Sequence, residues 1–267
     1  MIRSVLFVVG LAWAQIGHAD VMRMAVTTSF ENSGLSDVLL PALKEDTGID
    51  LQLLVVGTGQ ALRLGEAGDV DAVLVHSRAA EEVFVAAGHG THRREIMYND
   101  FVVIGPLDDA AGISAAPDAA GAFSLIAAAS VPFVSRGDDS GTHNAEAKVW
   151  ANAGLEPEGF GPWYRSVGAG MGAALNTASG MNAYVFSDRA SWLNFGNRDG
   201  LALLFEGDPI LHNQYALLPV NPSKHDGIRN DLALQLEAWL TSPRAADLID
   251  TYTINGERLF FFNAEQE

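Results

Sequence analysis

The chain has 267 residues, 48% of them hydrophobic, with no cysteine and a formal net charge of −17. That length supports a sizeable core in one large domain or two lobes. The missing thiol excludes cysteine-ligated zinc, iron–sulfur clusters, thiol nucleophiles and a lipid-modified cysteine anchor, and so acidic a surface repels nucleic acid and anionic membrane.

Residues 1–19 follow the plan of a secretory signal peptide: a positive charge at Arg3, the uncharged run VLFVVGLAWAQIG, then small residues at Gly17 and Ala19. The run is shorter than the about 20 apolar residues of a spanning helix and is interrupted by Gln15 and His18. The expected mature chain begins near Asp20, exported to the periplasm and not inserted in a membrane. Losing Arg3 makes it more acidic still.

From Met22 the chain alternates between strand and helix patterns. MRMAVTTS reads as a strand ending in hydroxyls. SGLSDVLLPALKEDTG reads as a helix, with Leu35, Leu39, Leu40 and Leu43 at helical spacing and Gly48 as its stop. IDLQLLVVGTG, VDAVLVHS and MYNDFVVIGP read as strands, separated by the helical QALRLGEAG and RAAEEVFVAAGHG. DAAGAFSLIAAAS, VPFVS and HNAEAKVWANAGL read as helix, strand and helix. EPEGFGPWYRSVG reads as a surface loop. AGMGAALNTAS reads as a helix and MNAYVFSDRASWLNF as a strand and a helix. LALLFEG and HNQYALLPVNP read as strands, and GIRNDLALQLEAWLTSP as a long amphipathic helix. RAADLIDTYTI and RLFFFN close the chain. The alternation predicts an α/β fold with mostly parallel sheets flanked by helices.

Two strand-like segments, 99–106 and 213–220, are suited to carry the chain between lobes. Residues 20–101 with 216–267 would form one lobe and 102–215 the other, with a ligand cleft at the carboxyl ends of the strands.

Three loops share one design, each following an apolar strand and opening a helix. VTTSFENSG (26–34) carries Thr27, Thr28, Ser29 and Ser33; VVGTGQAL (55–62) carries Thr58 between glycines; SRGDDSGTH is residues 135–143. A helix N-terminus leaves backbone N–H groups without internal partners and carries about half a positive charge. Hydroxyls add donors and glycine admits close approach, so such loops bind anions with little formal charge. Arg136 adds a fork of donors suited to two oxygens of a tetrahedral anion, with Asp138 placed to orient it. Helix capping by the same hydroxyls is the competing reading of any one loop.

These motifs, with GDVDAVLVHS, RREIMYNDFVVIGP, WYRSVGAGMGAALN and EGDPILHNQYALLPVNPSKH, resemble in order those of the tungstate-binding substrate-binding proteins of ABC importers. The resemblance spans nearly all of the mature chain. It implies a two-lobed type II periplasmic binding protein that closes over tungstate, sometimes molybdate, and docks on an ABC permease. It implies anion contacts from a hydroxyl-rich TTTS segment and from SRGDxSGT. Here those positions are Thr27, Thr28 and Ser29, with Val26 in place of the first Thr, and Ser135, Arg136, Ser140, Gly141 and Thr142. Thr58 is added by analogy with other oxyanion-binding proteins of this fold. Asp138 and His143 are supporting residues. A monomer without cofactor is expected.

The third loop also resembles that of phosphate-binding proteins. Phosphate near neutral pH keeps a proton that needs an acceptor, whereas tungstate needs donors only. The first two loops offer no carboxylate within 26–30 or 55–62, although Glu31 and Asp139 stand nearby. Other features read as structural: the histidines of GHGTH (88–92), the pair Asp108–Asp109 as a solvated turn, the aromatic WYR (163–165), and DRASW (188–192). GAGMGAALN (168–176) is a further helix start with N–H groups to offer. A Ser140/His143 hydrolase is the rival class, but both residues lie in one short loop and not on a G-x-S-x-G elbow. The chain has no G-x-x-x-x-G-K-[ST] nucleotide motif, so transport energy must come from a partner.

Overall fold

The computed structural model describes residues 20–264 except 139 and 199. The expected signal segment, residues 1–19, lies outside the described residues, as does Asp139. Among the described residues no helix is long and apolar enough to cross a membrane.

β1 (Asp20–Thr27) leads into α1 (Thr28–Asn32) and α2 (Ser36–Thr47), followed by β2 (Ile49–Val56), α3 (Thr58–Ala67), β3 (Ala72–Val75) and α4 (Arg78–Ala86). The long β4 (Arg94–Pro106) precedes α5 (Ala119–Ala129), β5 (Phe133–Ser135), α6 (Gly141–Asn152), β6 (Tyr164–Ser166) and α7 (Met171–Met181). Next come β7 (Tyr184–Asp188), α8 (Arg189–Asn194), β8 (Leu201–Phe205) and β9 (His212–Pro219). The chain ends with α9 (Asn230–Leu240), α10 (Pro243–Thr251), and the short β10 (Thr253–Ile254), β11 (Glu257–Arg258) and β12 (Phe261–Phe262).

The main sheet runs β2-β1-β3-β9-β4-β7-β5-β6, with β8 and β12 also on β4. Its outer parts are parallel: β1 pairs with β2 and β3, and β5 with β6 and β7. Its middle is antiparallel, because β4 and β9 connect the two parts in opposite directions. β4 changes partners between Asp100 and Phe101, residues 94–100 pairing with β9 and 101–106 with β7 and β8. Each half is covered on both faces, which explains why its strands read as nearly continuous apolar runs. On β3, Ala72 and Leu74 face one apolar cluster while Val73 and Val75 face another. On β7, Tyr184 and Phe186 face one side and Val185 the other.

Two sequence expectations need correction. The 156–168 segment contains the three-residue strand β6, paired only with β5; so short an edge strand carries no detectable period. Asp109 is more than a solvated turn residue. Its carboxylate accepts from the Tyr184 hydroxyl (2.9 Å) and from the N–H groups of Ile113 and Ser114 (3.0 and 2.9 Å). The aromatic loop is packed: Trp163 lies against Phe160, ring centroids 4.6 Å apart. Asp188 caps α8, and Arg189 makes a bidentate pair with buried Asp100 at 2.7 and 2.6 Å.

Gly105 sits on the part of β4 that enters the second half. A methyl group there would come within 2.6 Å of the Tyr184 ring and 2.7 Å of Leu204. The Tyr184 hydroxyl is pinned by Asp109, so the ring cannot retreat. Gly105→Ala is expected to destabilise by about 1–3 kcal/mol, seen as a lower urea midpoint at unchanged slope; an unaltered midpoint would show that the ring yields freely.

Candidate anion site

The site begins with strand register. Thr27 pairs with Val56 and Val26 with Leu74, so β1, β2 and β3 end side by side. Their next residues bring Thr28, Gly57 and His76 to one edge of the first half. Val26, where the resembling family carries a hydroxyl, is fully buried in the apolar core.

Thr27 caps α1, its Oγ1 accepting from the Phe30 N–H at 3.4 Å. The Ser29 hydroxyl sits at a meeting point, 3.0 Å from Thr27 Oγ1, 3.1 Å from His76 Nε2 and 3.1 Å from the Tyr215 hydroxyl. His76 and Tyr215 also pack ring against ring, centroids 4.8 Å apart. Burial lowers the His76 pKa to about 4, and burial pushes that of Tyr215 up to about 12, so both groups are neutral near pH 7. Asn213 lies near the imidazole and donates to Asn99 Oδ1 at 2.8 Å. Thr28 is exposed and Thr58 half-buried at the start of α3; among the described residues neither side chain is hydrogen-bonded to this cluster.

The third loop comes from the second half. Arg136 donates Nε and Nη2 to Asp138 Oδ2 (3.2 and 2.5 Å), and Nη1 lies 3.5 Å from Thr142 Oγ1. Asp138 also accepts from the Ser140 N–H at 3.3 Å. Burial opposes ionisation of Asp138, but its hydrogen bonds from Ser140 and Arg136 and the guanidinium charge hold it below the usual carboxylate range. Gly137 has φ +58° and packs on Ser166, where a methyl group would come within 2.6 Å. Such backbone favours glycine. The Arg136 carbonyl accepts from the N–H groups of Gly168 and Ala169 (2.8 and 3.3 Å), which therefore support the loop. Ser140 caps α6 through the His143 N–H at 3.3 Å, and Thr142 is buried in the first turn. A methyl group on Gly141 would stand 3.6 Å from His76 Cε1. The start of α6 thus lies close to the imidazole beside Ser29, and the first and third loops approach each other there.

Ser135 is fully buried on the same strand face as Phe133. Its hydroxyl lies beside Glu146 and Tyr164 without a well-formed hydrogen bond, so the side chain expected in the cleft turns inward. Glu146, on the second turn of α6, accepts at Oε1 from Trp150 Nε1 (3.1 Å) and the Tyr164 hydroxyl (2.9 Å). Burial raises its pKa to about 7. His76, Tyr215, Asn99, Asn213 and Glu146 were not singled out from sequence. The available signal was a polar residue ending or interrupting an apolar strand, as in AVLVHS and NQYALL.

Glu146→Gln keeps an acceptor for Trp150 and Tyr164 but cannot ionise. The folded wild type holds its proton more tightly than the unfolded chain does. Its stability relative to the variant is therefore greatest below pH 4.5 and is lost as the pH rises through about 7. The expected change is about 3 kcal/mol, read from urea unfolding of both proteins across this range. Parallel pH profiles would show an ordinary carboxyl.

The chain is similar to known proteins over most of its length. Residues 15–244 match the PBP superfamily domain. The tungstate-binding protein TupA of Peptoclostridium acidaminophilum is 45% identical over 231 residues, 86% of this chain and 80% of that protein. The solved structure of the tungstate-binding protein TupA from Desulfovibrio alaskensis G20 aligns with a TM-score of 0.89 at 44% identity, over 92% of this chain and 100% of the other. That of the tungstate ABC transporter from Geobacter sulfurreducens aligns with a TM-score of 0.75 at 43% identity, over 87% and 98%. The chain therefore belongs to the PBP superfamily and, within it, to the TupA family of two-lobed substrate-binding proteins.

Proposed function

We propose that this chain is a periplasmic solute-binding protein that captures tungstate between its lobes and delivers it, as a monomer, to an ABC permease. The observation that carries the reading is the placement of the His76 imidazole, 3.1 Å from the Ser29 hydroxyl of the first loop and close to Gly141 at the helix start of the third. Donors from two loops can then reach one small anion. In this reading Thr27, Thr28, Ser29, Thr58, Arg136, Ser140, Gly141 and Thr142 supply contacts, Asp138 orients Arg136, and Ser135 contributes through its backbone. Residues 20–101 with 216–267 form one lobe in this reading and 102–215 the other, and β4, which changes partners between Asp100 and Phe101, carries the chain between them.

The chemistry favours an unprotonated oxyanion. Among the described carboxylates near the loops, Asp138 is committed to Arg136 and Ser140, and Glu31 accepts from Ser36 Oγ at 3.0 Å, so neither of these two is poised to receive a phosphate proton. A binder fits better than an enzyme, because the Ser140 hydroxyl serves as the cap of α6. Each hydrogen bond to a charged ligand contributes about 1.5–3 kcal/mol, so several converging donors support submicromolar affinity, about −8 kcal/mol or better.

Isothermal titration with tungstate, molybdate, sulfate and phosphate tests the ligand. Tungstate is expected to bind most tightly, and phosphate or sulfate binding as well as tungstate would overturn the assignment. Arg136→Ala is expected to weaken tungstate binding by about 2–4 kcal/mol through loss of charge-assisted donors. An unchanged affinity would remove Arg136 from the site.

A further inference from the structure

Building on the oxyanion reading, we propose that His76 is a positioning residue whose Nε2–H donates to Ser29 Oγ, so that Ser29 turns its own proton to the anion. A serine hydroxyl has one proton and two acceptor lone pairs. Ser29 Oγ already has three polar neighbours within 3.1 Å: Thr27 Oγ1, His76 Nε2 and the Tyr215 hydroxyl. If Ser29 gives its proton to His76, none remains for a ligand. If His76 and Tyr215 both donate, they fill the two lone pairs and the proton is free to leave Thr27 for the cleft. Tyr215, a neutral phenol, has the proton to give. A neutral imidazole has one N–H, and placing it at Nε2 completes the set.

The position suits this role. His76 directly follows β3 and has Gly141 of the opposite loop close to Cε1. The ring therefore stands beside both anion loops, hydrogen-bonded to Ser29 of the first and close to Gly141 of the third. Beside the ring, Tyr215, Asn213 and the backbone carbonyl of His76 itself are all uncharged. No charge in this set forces the imidazole to protonate, so it acts by where its single proton sits.

Three replacements separate the possibilities. In Gln the amide nitrogen takes the place of Nε2, in Asn it takes the place of Nδ1, and Phe fills the space without donors. The wild type is first titrated with tungstate, molybdate, sulfate and phosphate, and the variants are then compared on whichever anion it binds best. A failure of the tungstate assignment is thereby distinguished from a failure of His76. His76→Phe and His76→Asn are expected to weaken binding by about 10- to 100-fold while His76→Gln stays within about threefold of wild type, as one charged-ligand hydrogen bond requires. Nitrogen-15 NMR of the histidine ring is expected to show the Nε2–H tautomer in the anion complex. Wild-type affinity in His76→Phe, equal losses in all three variants, or an Nδ1–H tautomer in the complex would each overturn the proposal. A wild type that bound none of the four anions would overturn it together with the oxyanion reading.

Discussion

One hydroxyl oxygen concentrates the design. Ser29 Oγ is approached by groups from β1, β9 and the end of β3, elements far apart in sequence. The arrangement exists because three parallel strands stop in register and because β9 runs beside β3 on its way back from the second half. Each neighbour removes a choice from the hydroxyl, so its orientation is decided before any ligand arrives. Preorganised dipoles of this kind need little rearrangement on binding. The third loop approaches the first at Gly141, the opening residue of α6, where a methyl group would stand 3.6 Å from His76 Cε1.

The electrostatics resolve an apparent contradiction. A chain with net charge −17 is a poor long-range attractor of anions. At physiological salt, however, fields fade over about 8 Å, so the outer surface matters little to an anion already in the cleft. Within the site the groups are mostly neutral hydroxyls, amides and one imidazole. The guanidinium of Arg136 is already balanced by Asp138. Direction, more than net charge, is what these groups offer.

Most of the architecture was legible because local patterns carry it. Strands covered on both faces spell uninterrupted apolar runs, and Gly48 ends α2 where it was expected. The hydroxyl loops were legible because helix starts have a recognisable chemistry. His76, Tyr215, Asn99 and Asn213 were not, since each is an ordinary residue in an apolar strand and becomes notable only when the sheet brings them together. Ser135 misled for a related reason: alternation along β5 places it with Phe133, on the face that packs against α6. β6 escaped because three residues are too few to show a period.

The shared strand β4 bears on how such a protein moves. Thirteen residues run unbroken through both halves, and β9 lies alongside the first seven of them. Two halves joined in this way do not hang on a slack tether; they are leaves on a common spring. Shutting the molecule then freezes few backbone torsions, and its cost lies in flexing an already ordered ribbon. Closure over a ligand along such a strand would carry only a small loss of chain entropy.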